Sequence, residues 1–120
     1  MAHILIIDDS PTDIRVFTTL LERNGHKVSS AASAEAGIAM AKRERPDLVI
    51  MDVIMPGMNG FQATRTLSRE TETSEIPILI ITTKSMETDR VWGLRQGAKD
   101  FMVKPVGEQD LLGRIQKLLS

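Results

Sequence analysis

Four short apolar runs each end in side chains suited to handling charge. Asp8 and Asp9 follow Ile4–Ile7, and Asp52 follows Leu48–Met51. Thr82 and Thr83 follow Ile78–Ile81, and Lys104 with Pro105 follows Phe101–Val103. Three carboxylates brought close repel one another, and desolvation adds to the cost of keeping them ionised. A divalent cation relieves both penalties. Acidic oxygens with room for water suit Mg2+, and the lack of histidine or cysteine in the group argues against zinc and copper. A carboxylate beside such a cation can attack a phosphoryl group and carry it as an acyl phosphate. The cation and a lysine would then neutralise phosphoryl oxygens, and a threonine hydroxyl would donate to another. Asp52 ends the most central-looking run and is the expected nucleophile, with Asp8 and Asp9 as metal ligands, directly or through water.

Each residue also has a structural reading. Asp8-Asp9 before Ser10-Pro11 could cap a helix, Asp52 could be a turn residue, and Thr82 could be no more than a strand-end hydroxyl. Lys104 is the most telling, because an amine at the end of a buried strand needs an anion nearby. The informative feature is that all of them stand at equivalent ends.

The runs do not alternate with polar residues, the pattern of strands covered on both faces. Lys27–Ala32 is more polar and suits an edge strand. Helical spacing fills the gaps. Pro11 opens a helix with Ile14, Phe17 and Leu21 on one stripe, stopped at Gly25. Ser33 caps a second that ends before Pro46. Asn59 or Gly60 opens a third, Glu87–Gln96 forms a less apolar fourth, and a fifth starts near Glu108. Five alternations of strand and helix predict an α/β fold, one doubly wound parallel sheet with helices on both faces. In such sheets ligands bind beyond the carboxyl ends of the strands.

The composition narrows the functions further. A chain of 120 residues fits one domain over 1–120, with no output domain attached. Fifteen basic against sixteen acidic residues, with 3% aromatics, give no support to nucleic-acid binding. Zero cysteines remove a disulfide framework and a thiol nucleophile. No apolar run is long enough to insert in a membrane, and the start lacks a basic region and cleavage site. A cytoplasmic monomer is expected.

Asp8-Asp9, Asp52 with Met55-Pro56-Gly57 and Asn59-Gly60, Thr82, Gly97-Ala98 and Lys104-Pro105 stand in an order and spacing that resembles the CheY-like response-regulator receiver domains of two-component signalling. The resemblance covers the whole chain. It implies strand order 2-1-3-4-5, and phosphorylation of Asp52 by a sensor histidine kinase or a phosphotransfer protein. It also implies Mg2+ held by Asp8, Asp9, Asp52 and the backbone carbonyl of Ile54. Thr82 and Lys104 would contact the phosphoryl group. Thr82 and Phe101 occupy the family's switch positions, which remodel the face of helix 4, strand 5 and helix 5 towards a downstream protein. Phenylalanine here brings no phenol hydroxyl. Ile54 and Lys84 stand where the family tunes the phosphoryl lifetime, and Ile54 has no polar group to orient water, so fast self-hydrolysis is not expected. Gly60–Arg65, Thr82-Thr83-Lys84, Glu87-Thr88-Asp89, Val91-Trp92-Gly93 and Arg95–Ala98 are similar to stand-alone regulators of type IV pilus twitching motility. That implies motility or chemotaxis-like control, as an output switch or a phosphate sink.

Two other classes compete. A phosphohydrolase with an aspartyl nucleophile needs a second acid two residues on, where this chain has Ile54, so chemistry beyond the chain's own phosphorylation is not expected. A flavin or nucleotide carrier needs a glycine- or hydroxyl-rich first turn, where this chain has Asp8 and Asp9. His3 and His26 lack metal-ligand spacing and read as structural or solvated. The methionines read mostly as core filler, and Trp92 as either helix packing or a partner contact. Arg43-Glu44-Arg45 reads as a solvated helix end.

Overall fold

A computed structural model describes residues 1–120. The elements run β1 (His3–Ile7), α1 (Pro11–Arg23), β2 (Lys27–Ala31), α2 (Ala34–Glu44), β3 (Leu48–Met51), α3 (Gly60–Arg69), β4 (Ile78–Thr82), α4 (Glu87–Arg95), β5 (Asp100–Val103) and α5 (Glu108–Leu119). The five strands form one sheet in the order β2-β1-β3-β4-β5, with every neighbouring pair parallel.

Alternate residues of each apolar run serve opposite cores, which is why the runs show no polar interruption. Leu5, Ile7, Val49, Met51, Ile78, Ile80 and Phe101 join Ala34 and Ala41 of α2 and Ala63 and Leu67 of α3 on one face. Ile4, Ile6, Leu48, Ile50, Leu79, Ile81 and Met102 meet Phe17 and Leu21 of α1 and Leu111 and Ile115 of α5 on the other. The starts of α1, α2 and α3 are capped by side chains. Ser10 accepts from the Asp13 N–H and Ser33 from the Ala36 N–H, while Asn59 and Gln62 form a reciprocal capping box.

Strand limits differ slightly from the apolar runs. Backbone pairing carries β1 back to His3, β5 back to Asp100 and β4 on to Thr82, because each residue still faces a partner strand. β2 stops at Ala31, and exposed Ala32 leads into the Ser33 cap. Hydrophobicity reports burial, whereas pairing follows register. Glu44 is more than a solvated helix end: it accepts a 2.7 Å hydrogen bond from Ser29, tying α2 to β2. His3 contacts the same serine at 2.7 Å, and His26 accepts from the Ala2 N–H. Both histidines are structural links. α4 buries only Gly93 and leaves Met86, Val91 and Trp92 exposed, so Trp92 is not packed into the core. No helix is long and apolar enough to cross a membrane.

Candidate functional site at the carboxyl ends of the strands

Parallel strands in register deliver their following residues to one edge. The end of β1 places Asp8 inside and Asp9 at the surface, and the end of β3 places Asp52 inside. β1 and β3 are neighbours, and the Asp52 N–H donates to the Ile7 carbonyl. One oxygen from each of Asp8, Asp9 and Asp52 therefore lies within 4.8 Å of the others. β4 brings up Thr82, fully buried, whose carbonyl accepts from the Lys104 N–H at 2.8 Å. That bond locks the two strand ends on which the hydroxyl and the amine are carried.

Lys104 reaches back across the sheet. Its Nζ lies 2.9 Å from Asp8 Oδ2, 2.7 Å from Asp13 Oδ2 and 3.4 Å from Asp52 Oδ2. The remaining oxygens of the two buried acids are also engaged. Asp8 Oδ1 accepts from the Ser10 N–H and Asp52 Oδ1 from the Val53 N–H. Burial pushes the Asp8 carboxyl above its ordinary value, and the Asp52 charge adds to the rise, against the Ser10 and Lys104 hydrogen bonds. For Lys104, burial works to lower the amine, but hydrogen bonds to Asp13 and Asp8 and the charge of Asp52 outweigh it, so the net shift is upward. The ammonium is thus firmly charged.

The acidic trio fits a divalent cation of the Mg2+ type. Its donors are hard anionic oxygens, the exposed Asp9 leaves room for water, and no soft ligand is present. The Ser10 cap answers the alternative reading of the acid pair, because the serine, and not Asp8 or Asp9, caps α1. Gly60 braces the loop beyond Asp52. Its N–H donates to the Val53 carbonyl, and a Cβ there would collide with the Asp52 carbonyl oxygen and stand 2.8 Å from Val53 Cα.

Ile54 follows the site with its side chain exposed. Phe101 is buried beneath α4, where a Cβ on Gly93 would come within 3.2 Å of its ring. Asp13 was not among the sequence candidates. It is an acid in the first turn of α1, a place where an acid ordinarily serves the helix dipole, and its sequence position gives no sign that it reaches Lys104.

Residues 4–116 match the family described as the response regulator receiver domain. The chain belongs to that family. It is 54% identical over 120 residues to protein PilH of Pseudomonas aeruginosa, covering all of this chain and 99% of PilH. It is also 38% identical over 117 residues to the response regulator PleD of Caulobacter vibrioides, where it spans 26% of that protein's length. Among solved structures, the Vibrio cholerae chemotaxis protein CheY4 superposes with a TM-score of 0.93 at 32% identity, covering 99% of both chains. The receiver fold, its strand order and a place in two-component signalling follow from these matches.

Proposed function

We propose that this receiver domain accepts a phosphoryl group on Asp52 from a sensor histidine kinase or a phosphotransfer protein. An Asp52 carboxylate oxygen bonds to phosphorus as the phosphorus–nitrogen bond to the donor's histidine breaks, and the bonding pair stays on the departing imidazole. The observation that carries this reading is the convergence of Lys104 with Asp8 and Asp52 at 2.9 and 3.4 Å, at the edge where Asp9 completes the acid cluster. Asp8, Asp9, Asp52 and the Ile54 carbonyl would hold Mg2+, which when bound neutralises charge on phosphoryl oxygens. Lys104 donates to one phosphoryl oxygen and the buried Thr82 hydroxyl to another. Ile54 presents only an exposed alkyl group, so nothing there orients a hydrolytic water.

Thr82 and Phe101 relay the change to the face formed by α4, β5 and α5, where Met86, Val91, Trp92 and Val103 are exposed towards a downstream protein. The likeness to PilH supports a role in type IV pilus twitching motility or a chemotaxis-like circuit, inside the cytoplasm. The domain would serve there as an output switch or as a sink that drains phosphate from the kinase. Measuring phosphate flow from the cognate kinase with and without the protein separates those two roles.

The direct test is incubation with Mg2+ and acetyl phosphate, read by mass spectrometry. Wild type should gain one phosphoryl group, while Asp52→Asn and chelator-treated wild type should gain none. Modification at another residue, or none under saturating donor, would refute the reading.

A further inference from the structure

Lys104 has three N–H donors, and they face three carboxylates. The shortest contact, 2.7 Å, is to Asp13, not to either buried acid. Asp13 belongs to the first turn of α1, and its position is set by the bond from its own N–H to Ser10 Oγ. Its side chain is 38% exposed, against 3% for Asp8 and 9% for Asp52, so water can replace the lysine there at low cost. A phosphoryl group on Asp52 needs one of those three donors. The donor facing Asp52, at 3.4 Å, must move outward to meet a phosphoryl oxygen, and of the other two carboxylates that the ammonium could leave behind, Asp8 is buried and Asp13 is the one that water reaches.

Resting on the proposed phosphorylation of Asp52, we infer that Asp13 competes with the phosphoryl group for the Lys104 ammonium and is released when that group arrives. Beside Asp13 opens a cavity of about 360 Å³, bordered by Val16 of α1 and by Pro105 and Val106 of the β5–α5 loop. A freed Asp13 carboxylate adds a negative charge to that groove only in the phosphorylated form. The consequence is a second change of surface, on the α1 side of the molecule, apart from the α4–β5–α5 face.

A merely structural role is the alternative: a first-turn acid also steadies the helix dipole. The two roles predict opposite results. Beryllofluoride binding in the presence of Mg2+, followed by fluorine NMR, should tighten about fivefold in Asp13→Asn, a size set by a partly exposed charged hydrogen bond. Asp13→Glu should stay near wild type. Equal or weaker binding by Asp13→Asn overturns the inference, since loss of helix stability cannot tighten a ligand. If Asp13→Asn does not fold, labelled wild type decides. The Asp13 carboxyl carbon should shift when beryllofluoride is added to Mg2+-loaded protein, and an unmoved resonance overturns the inference. Failure of wild type to bind beryllofluoride would instead strike the Asp52 reading itself, and this inference would fall with it.

Discussion

Lys104 sits where Asp8 and Asp52, both buried, would otherwise face each other uncompensated. Removing one partner from a buried charge cluster leaves the rest desolvated and unpaired, which costs several kcal/mol. Lys104→Met should therefore lose about 2–3 kcal/mol in chelator, measured by urea unfolding. Added Mg2+ should restore part of the loss and stabilise this variant more than it stabilises wild type, because the cation takes over the missing positive charge. Equal responses to Mg2+ would show that Lys104 and the cation site do not share the same carboxylates. The gathering of Asp8, Asp9, Asp52, Thr82 and Lys104 at one edge was legible in the sequence, since a residue placed after a buried run has few places to go. Asp13 was not legible. Its contact depends on how α1 docks beside the β5–α5 loop, and a helical acid gives no sign of that docking.

α3 begins against the backbone of the loop that follows Asp52, and Gly60 is what permits the approach. Alanine is the better helix former by about 1 kcal/mol, so propensity alone would have Gly60→Ala stabilise the protein. The collision with the Asp52 carbonyl decides the other way. Overpacking of this kind costs about 1–3 kcal/mol, and the variant should melt earlier and bind Mg2+ more weakly, by calorimetry. α4 depends in a similar way on one small residue, Gly93, lying over the Phe101 ring. Phe101→Ala should cost about 3–5 kcal/mol as a buried ring lost from the core. Phe101→Leu should keep most of the stability yet blunt the spectral response of α4 to beryllofluoride. Element types and order were readable because apolar runs and helical stripes report burial directly. The ends of β1, β2, β4 and β5 were displaced by one residue, because strand limits depend on a neighbour's register.

For the molecule as a whole, Mg2+ held by the folded acid cluster as proposed would have no site in the unfolded chain, and should raise the unfolding midpoint with concentration. The gain at ten times the dissociation constant is about 1.4 kcal/mol, and Asp8→Asn should show little of it. The chain should also sediment as a monomer. At Phe101 the outer edge of β5 is already occupied, because Asp100 accepts from the Phe101 N–H and Arg114 donates to the Phe101 carbonyl, which hinders strand pairing with a second copy there. A dimer joined through β5 would contradict that prediction. The sequence by itself determined the α/β class, the alternation of elements and the set of acids, hydroxyl and amine at strand ends, because hydrophobic period and residue chemistry are local properties. Only the tertiary structure decided that Lys104 is shared among three carboxylates, that Gly60 must lack a side chain and that Trp92 faces solvent. Those facts depend on distances between segments far apart in the chain, which no local pattern encodes.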